Sequence, residues 1–236
     1  MHKTVLSQGR FIGLFLAATV GVVCCPQFCR AEELVPLKLK LPSPAFIGTP
    51  SDTPVGMDVE KPTGKPRPPL MVPPGLSNLA LGKKVTSSDS NAIPDELKKV
   101  TDGQKEATEP NILLLRRGPQ WVQIDLGCPE EIYAIVLWHA HDTPKVYRDV
   151  VVQIADDAAF SQNVRTLFNN DKANALKLGA GTDRQYFETN EGKLIDAKGA
   201  VARYLRFYSN GSSESRMNEY TEIEVYGRPP RQSASG

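Results

Sequence analysis

Three short apolar runs within residues 120–157 constrain the fold more than any other part of the chain. Residues 121–126 (WVQIDL) alternate between apolar and polar side chains. Residues 132–138 are apolar on both sides, and residues 150–154 are again rich in β-branched side chains. Period-two alternation and β-branched residues at these lengths are typical of strands. We therefore expect a β-sandwich in which the middle run lies at the centre of a sheet.

The rest of the chain repeats this strand pattern and shows little helical periodicity. Further strands are predicted at residues 78–85, 165–168, 185–188, 201–209 and 222–226. A short helical turn is expected only at residues 96–100, and residues 169–183 are rich in Asn, Asp and Gly, as loops are. About eight strands without a strong helix indicate an all-β fold, a two-sheet β-sandwich of the jelly-roll kind.

The N-terminus has the features of a secretory signal peptide spanning residues 1–31. Lys3 and Arg10 supply positive charge, an apolar run follows at residues 11–23, and Ala31 is a small residue suited to the cleavage site. The apolar run is too short to cross a bilayer comfortably, which disfavours an uncleaved anchor, and a lipid-attached cysteine is a weaker alternative. We therefore expect an exported protein, in the periplasm, at the cell surface or extracellular, with no transmembrane helix in the mature chain.

Proline content separates the signal from the folded part. Residues 32–76 are crowded with prolines, as in residues 66–69 (PRPP), and proline lacks the amide donor that sheets and helices need. This linker is predicted to be an extended, polyproline-biased spacer, with recognition by a proline-binding partner as a weaker alternative. The folded domain is expected at residues 77–229, and residues 230–236 are expected to form a disordered tail.

Net charge limits the classes of binding partner that can be expected, and cysteine content limits the disulfide bonds that the domain can form. The chain has 28 Lys and Arg against 27 Asp and Glu, and it stays close to neutral when residues 1–31 are removed. A near-neutral protein gives no electrostatic reason to expect nucleic acid or an anionic membrane as a partner. Only Cys128 lies outside the signal, so the mature domain has no internal disulfide, and Cys128 is predicted to be a half-buried structural thiol.

Five segments of the domain occur in the order found in a known family. They are residues 78–88 (NLALGKKVTSS), 100–103 (VTDG), 121–127 (WVQIDLG), 202–206 (ARYLR) and 221–227 (TEIEVYG). Together they resemble a discoidin domain, also called a coagulation factor V/VIII type C domain, of the galactose-binding-like superfamily. The order of signal, spacer and one domain is similar to bacterial exported members. The chain lacks the cysteine pair that ties the two ends of the animal domains, which speaks against their ligands, membrane lipid and collagen.

The resemblance also implies a structural calcium site, as in sugar-binding members of the family. The matching positions are the loop at residues 101–108, with Asp102 and Thr108 as ligands beside backbone oxygens, and Glu222 on the last strand. Calcium takes six to eight oxygen ligands, which a tight Asp-Gly loop can supply from carboxylate and carbonyl groups. The alternative is an ordinary turn in which Asp102 bonds its own loop and Glu222 faces solvent.

The polar segment at residues 139–147, between two predicted strands, is the expected ligand-binding loop. Ligand contact is predicted for His139, His141, Tyr147 and Arg148. Imidazole and guanidinium groups donate hydrogen bonds to hydroxyl groups, and an aromatic ring can stack on the apolar face of a sugar. Nearby Trp138 continues an apolar strand and is expected in the core.

His139 and His141 are two residues apart at a strand end and therefore point to one face. With Asp142 or Asp149 as a third ligand they could hold zinc, although polar residues at the mouth of a sandwich are the more ordinary interpretation. The chain contains no G-x-S-x-G, H-E-x-x-H or phosphate-loop motif, so we expect no enzyme activity.

One arginine of the predicted strand at residues 201–209 is expected to have a structural role. Arg203 and Arg206 lie three apart and so on opposite faces of that strand. Asp125 is a polar residue on a strand that otherwise reads as buried, and a buried charge needs a partner. We predict that one of the two arginines pairs with Asp125.

These observations predict a non-catalytic exported binding module whose partner is a glycan or a cell-envelope polysaccharide. The alternative is a structural or adhesive envelope protein that contacts another protein through the same loops. The two functions require different surfaces. A glycan site should be concave, with an exposed aromatic ring among polar donors, whereas a protein site should be broader, flatter and apolar.

Overall fold

The computed structural model describes residues 1–2, 32–46 and 57–231, and the strands within these residues confirm the all-β fold class. They are β1 (Val35–Pro36), β2 (Met71–Val72), β3 (Ser77–Asn78), β4 (Lys84–Ser87), β5 (Leu113–Leu115), β6 (Gln120–His139), β7 (Val151–Ala155), β8 (Arg165–Asn169), β9 (Lys193–Ser209) and β10 (Asn218–Arg228). In the same residues, helical structure is limited to two 3₁₀ turns, Glu96–Thr101 and Glu109–Asn111, neither of which could cross a bilayer. Almost all of the predicted signal peptide and most of the predicted tail lie outside the described residues.

Strands β3 to β10 form one antiparallel system that folds into two layers. Its order is β3-β10-β6-β9-β7-β8, with β4 also paired to β6 and β5 to β10. The first half of β6 pairs with β4 and with the end of β9, whereas the second half pairs with β10 and with the start of β9. Strands β6 and β9 therefore pass from one layer into the other and join the two sheets of the sandwich.

The passage between the layers lies at Gly127 on β6. Pairing of β6 with β9 changes register between Asp125 and Glu130, and Gly127 has a φ of 94°. Glycine adopts this left-handed conformation without the steric cost that a side chain would add. The strands predicted at residues 121–126 and 132–138 are thus the two halves of one bent strand. The apolar alternation stops at the bend, so the pattern gives no sign that the strand continues.

Side chains from both layers meet in one core. The apolar side of the first run, Val122, Ile124 and Leu126, is at most 1% exposed. The middle run lies between β9 and β10 and is buried on both faces from Ala134 onward, which confirms its central position. On the outer face of this run, Trp138 packs under the loop at residues 190–192, and its Nε1–H donates to the carbonyl oxygen of Asn190 at 2.9 Å.

Three strand predictions need correction. Residues 185–188 form only isolated bridges, and β9 begins at Lys193 rather than near residue 201. The strand predicted at residues 78–85 is interrupted, because Gly82 turns the chain with a φ of 67°. Each correction concerns a short segment in which the local pattern is weak and pairing with a distant strand decides the structure. The short helical turn near residues 96–100 is confirmed.

The described parts of the proline-rich segment contact the sandwich instead of extending away from it. We call residues 57–72 the arm. Within the arm, Val59 is buried and forms a parallel bridge with Gln185. The guanidinium of Arg67 donates to the carbonyl oxygens of Glu191 and Gly192, at 3.1 and 2.7 Å.

The prediction of an extended spacer that holds the domain away from a partner is therefore corrected for residues 32–46 and 57–76, which are ordered by contacts within the protein. Strand β2, at the end of the arm, pairs with β1, so both described parts of the segment are ordered by backbone hydrogen bonds. Proline removes amide donors only at its own position. The residues between the prolines keep their donors, and their side chains reach the sandwich.

Candidate functional site

A cleft opens at the end of the sandwich where β6 and β7 begin and β9 ends. Its volume is about 510 Å³, and its lining consists of Arg117, Gly118, Arg148, Asn210 and Arg216. These residues come from three separate loops, before β6, before β7 and between β9 and β10. A concave, polar surface formed by loops on a rigid sandwich is the arrangement expected of a ligand site.

A second cavity, of about 490 Å³, lies along the seam between the arm and residues 186–194. Several of its charged groups hold the arm. Lys193 pairs with Glu60 at 2.9 Å, and Arg67 binds the backbone of Glu191 and Gly192. We therefore assign this cavity to the docking of the arm.

Backbone hydrogen bonds hold two of the cleft loops together. The N–H of Arg148 donates to the carbonyl of Gly211, and the N–H of Asn210 donates to the carbonyl of Arg148, both at 2.9 Å. Gly211 has a φ of 71°, and a Cβ at this position would lie 2.7 Å from the carbonyl oxygen of Ser215. Only glycine allows this close approach, so the sequence at residue 211 fixes the path of the loop beside Arg148.

The third loop, before β6, is tied to the loop between β9 and β10 by Asn218, which is fully buried. Its amide nitrogen donates to the carbonyl oxygens of Arg116 and Gly118, at 2.8 and 2.9 Å. Its amide oxygen accepts the hydroxyl of Ser209 at 2.8 Å and the N–H of Gly211 at 2.9 Å. All four hydrogen-bonding positions of the side chain are used, so the loops that carry the cleft are held without a ligand.

The arginines of the cleft are not held by hydrogen bonds or ion pairs within the protein, although the charge of Arg148 acts on the carboxylate of Asp149. In the described part of the chain, the guanidinium groups of Arg117, Arg148 and Arg216 form neither a hydrogen bond nor an ion pair. Asp149, which follows Arg148, is half-buried, and its carboxylate accepts the side-chain amide of Asn210 at 2.8 Å. The donors of the three arginines therefore remain available at the cleft.

Of the four residues predicted to contact a ligand, the structure brings only Arg148 to the cleft. His139, His141 and Tyr147 are at most 1% exposed and lie inside the protein. The segment at residues 139–147 does not project into solvent, because Val146 and Tyr147 bridge to other loops and turn the segment inward. A ligand that arrives from solvent does not meet these three side chains in this conformation.

His139 and Tyr147 belong to a buried aromatic and polar cluster beneath Arg148. Their rings stack with centroids 4.1 Å apart, and the ring of Tyr220 lies 4.8 Å from His139. Nδ1 of His139 is 3.1 Å from Oε2 of Glu188. Burial lowers the pKa of His139 to about 3 and raises the pKa of Glu188 well above its usual range. The pair therefore carries no net charge, and Tyr147 adds a hydrogen bond from its hydroxyl to Glu219 at 2.9 Å.

His141 does not join His139 in a metal site. Its Nε2–H donates to the carbonyl oxygen of Lys105 at 2.9 Å. Burial lowers its pKa, which keeps the ring neutral. Within the described ranges, no three His, Cys, Asp or Glu side chains converge where they could hold a metal ion. Among the described residues, the histidine pair therefore has no third side chain with which to bind zinc.

The predicted calcium ligands are brought together in part. Glu222 is fully buried and does not face solvent, and both carboxylate oxygens accept the N–H of Gly103 at 3.2 Å. Burial, together with the carboxylates of Asp102 and Glu224, raises the pKa of Glu222 to about 8. Asp102 also accepts the N–H of Gln104 at 2.8 Å, as in an ordinary turn. A divalent cation would offset this crowded negative charge, so the two carboxylates of Asp102 and Glu222 fit the chemistry of a calcium site.

Two other residues of the loop differ from the predicted arrangement. Thr108 is exposed, and its hydroxyl oxygen accepts the side-chain amide of Asn111 at 3.3 Å. The ammonium of Lys105 lies inside the protein, 2.5 Å from Oε1 of Glu224, and supplies one positive charge to this region. Calcium at this loop therefore remains a prediction.

The expected structural pairing of Asp125 is confirmed. Arg203 forms two parallel hydrogen bonds with it, at 2.7 and 2.9 Å, across neighbouring strands. Arg206 instead donates to Gln123 and lies between the rings of Trp121 and Phe160, at 4.3 and 4.0 Å from their centroids. Both arginines therefore serve the fold.

Cys128 is exposed, which corrects the expectation of a half-buried thiol. Its Sγ–H donates to Oε1 of Glu130 at 3.1 Å. This hydrogen bond to a carboxylate is the main reason that the pKa of the thiol is raised. A raised pKa disfavours the thiolate, so Cys128 is a poor nucleophile, as expected.

Arg117, Asn210 and Arg216 are the cleft residues that the sequence did not reveal. Each lies in a different loop, and no local pattern shows which loop tips meet in space. A partial signal exists, because Arg117 precedes the strand that starts at Gln120 and Asn210 follows the strand that ends at Ser209. These two strand ends are paired, which a correct prediction of the β6–β9 register would have shown.

No family model matches the chain, and no curated protein matches it. Solved structures that it resembles include a fucose-binding module from Streptococcus pneumoniae, with 18% identity over 64% of this chain and 98% of that chain and a TM-score of 0.44. Chitosan-binding module 1 of a chitosanase/glucanase from Paenibacillus sp. IK-5 has 22% identity, coverage of 64% and 99%, and a TM-score of 0.41. The CBM32 module of AlyQ, in complex with 4,5-unsaturated mannuronic acid, has 18% identity, coverage of 60% and 92%, and a TM-score of 0.42. At these identities and TM-scores the likeness carries no information about the ligand of this chain.

Proposed function

We propose that this chain is an exported, non-catalytic binding module that recognises a carbohydrate in the cleft of Arg117, Arg148, Asn210 and Arg216. The supporting observation is that Arg148, a ligand contact predicted from sequence, shares a concave polar cleft with two more arginines and an asparagine. Guanidinium and amide groups supply several donors at once, which suits the hydroxyl and ring oxygens of a sugar. The loops are held by Asn218 without a ligand, so binding would cost little ordering of the backbone.

The composition of the cleft supports binding without catalysis. The described residues that line it include no carboxylate, histidine, cysteine or hydroxyl side chain. General acid–base and nucleophilic catalysis both need such a group within reach of the substrate. The buried pair of His139 and Glu188 is closed off from solvent and carries no net charge.

The concave, polar shape of the cleft favours a carbohydrate over a protein partner, although the aromatic ring expected at a glycan site is not part of its lining. An adhesive or structural protein that bound another protein here would be expected to present a broad apolar surface. Three guanidinium groups around a hollow of about 510 Å³ are a different kind of surface. The signal-like N-terminus supports export, and calcium is proposed as a structural ion at Asp102 and Glu222.

A glycan panel tests this function with the purified full-length chain. The panel should include neutral and acidic glycans, and binding should be saturable. Arg148→Ala is expected to weaken binding about 10- to 100-fold, because it removes hydrogen bonds from a charged donor. Lys84→Ala, which removes an exposed charge at the other end of the sandwich, should bind like the unmodified chain. A folded protein that binds no glycan on the panel would refute the proposal.

A further inference from the structure

We propose that the cleft selects carbohydrates that carry negative charge, in the form of a sugar carboxylate or a sulfate ester. This inference rests on the proposed function and adds the chemical class of the ligand. It depends on the charge of the cleft, on the groups that the cleft lacks and on the rigidity of its loops. These observations are independent of the resemblance to a family.

The three arginines of the cleft differ from every other arginine in the described residues. The others have partners inside the protein: Arg67 binds backbone carbonyls, Arg116 binds Asp89, Arg165 binds the carbonyl of Val201, Arg184 binds Asp58, Arg203 binds Asp125, Arg206 binds Gln123, Arg228 binds Glu131, and Arg231 also has a partner. Arg117, Arg148 and Arg216 are the exceptions, and all three line one cleft. Such clustering of unpaired guanidinium groups points to a partner from outside the protein.

No acidic side chain lines the cleft to balance these charges. Asp149, the sequence neighbour of Arg148, attracts its guanidinium, but the carboxylate is half-buried, accepts the amide of Asn210 and can offset only one of the three positive charges. Like charges gathered in a concave surface raise the local potential and draw in anions. An anionic group bound between the arginines would relieve their mutual repulsion, which a neutral hydroxyl group would not do.

The cleft also lacks the feature that neutral sugars use. Its lining contains no aromatic ring, so the apolar face of a neutral sugar has no surface to stack on. The nearby rings of His139 and Tyr147 are buried and stack on each other. Recognition must therefore come from hydrogen bonds and charge, and guanidinium groups bind carboxylate and sulfate oxygens with two parallel hydrogen bonds.

The size and setting of the cleft favour an acidic sugar over a longer anionic polymer such as nucleic acid. A volume of about 510 Å³ suits a small ligand group or the end of a chain. The protein as a whole is close to neutral, so it has no extended basic track of the kind that follows a phosphate backbone. The positive charge is local to one rigid cleft.

Matched polymers test the selection for charge with the purified full-length chain. Dextran, carboxymethyl dextran and dextran sulfate share one backbone and differ in the charged group, so they separate neutral, carboxylate and sulfate recognition. We expect at least one charged polymer to bind about tenfold or more tightly than dextran, and we expect added salt to weaken this binding. The charged polymer that binds better identifies the preferred group.

Two double variants assign the binding to the cleft. Arg117→Ala with Arg216→Ala removes two exposed side chains of the cleft and should abolish the preference for charge while leaving the fold intact. Lys84→Ala with Lys198→Ala removes the same net charge from exposed positions outside the cleft and should leave the preference unchanged. Circular dichroism checks that both variants are folded.

Three outcomes would overturn the inference. They are equal binding of dextran and of its charged forms, no binding of either charged polymer, and binding of charged polymers that the Arg117 and Arg216 variant does not change. If any one of these occurs while neutral glycans on the wider panel bind through Arg148, the proposed function stands and only the charge selection fails. If no glycan of any kind binds, the proposed function fails as well.

Discussion

His139 and Tyr147 lie beneath the cleft and support Arg148 from inside the sandwich. Their rings are buried and stacked on each other, and Tyr147 precedes Arg148 directly in the chain. The hydroxyl of Tyr147 donates to Glu219, and the carboxylate of Glu219 also accepts a hydrogen bond from the ammonium of Lys145 at 3.1 Å. These contacts fix the backbone that carries Arg148, so the two aromatic residues are positioning residues for the cleft.

The buried pair of His139 and Glu188 should shape how stability depends on pH. Burial lowers the pKa of His139 to about 3 and raises the pKa of Glu188, so the folded pair keeps one proton over a wide range. In the unfolded chain the ordinary pKa values are 6.5 and 4.5, so the pair binds two protons below pH 4.5 and none above pH 6.5. The pair therefore lowers the free energy of unfolding as pH rises above 6.5 or falls below 4.5, by at most about 1.4 kcal/mol per pH unit.

Glu188→Gln isolates the alkaline part of this effect. In the folded variant the neutral imidazole and the amide hold no titratable proton above pH 6.5, and the unfolded chain holds none either. The loss of stability above pH 6.5 that this pair causes should therefore disappear, as measured by urea unfolding from about pH 5.5 to 8.5. Glu109→Gln alters an exposed carboxylate, so its free energy of unfolding should depend on pH in the same way as that of the unmodified chain. The prediction fails if the free energy of unfolding of Glu188→Gln also falls above pH 6.5 as steeply as that of the unmodified chain.

Strand β6 shows at the level of elements how the cleft is placed. Its first half begins at Gln120, opposite Ser209 of β9, so the loops before β6 and after β9 start side by side. The bend at Gly127 then carries the strand into the other layer, where it ends at His139 under the cleft. One strand thus supplies both the edge of the cleft and part of its support.

The arm is a second element whose contacts can be tested. Arg67→Ala removes two hydrogen bonds from its guanidinium to the carbonyl oxygens of Glu191 and Gly192. We expect a loss of about 1 kcal/mol in the free energy of unfolding and faster proteolysis within the arm. Lys65→Ala, at an exposed neighbouring position, should change neither measurement. Unchanged protection of the arm in Arg67→Ala would show that this residue does not hold it.

Calcium, if bound at Asp102 and Glu222, should act on the stability of the whole molecule. An ion that binds only the folded state raises the melting temperature by mass action. We expect calcium to raise the melting temperature of the chain, a chelator to lower it, and Asp102→Asn to remove most of the difference. Glu109→Gln serves again as the control. Equal melting temperatures in calcium and in chelator would remove calcium from this loop.

At the scale of the whole molecule, the all-β sandwich could be predicted because its signal is local. Period-two alternation around Val122, Ile124 and Leu126 reports which side chains face a core, whatever strand lies next to them. The pair of Arg203 and Asp125 could be predicted too, because Asp125 lies on a strand with a buried face and the two neighbouring strands carry opposite charges, although the pair itself is only partly buried. The docking of the arm could not be predicted, because Arg67 meets carbonyl groups that are more than a hundred residues away in the chain.

The sequence by itself determined the all-β fold class and the central position of the apolar run at residues 132–138, and it named Arg148 and its neighbours as candidate ligand contacts. Tertiary structure alone decided what those neighbours do. His139, His141 and Tyr147 are turned inward by contacts with distant residues, whereas Arg117, Asn210 and Arg216 meet Arg148 because β6 and β9 pair in one register. Side-chain periodicity is a property of neighbouring residues, but a cleft is made by loops whose proximity depends on how the whole chain folds.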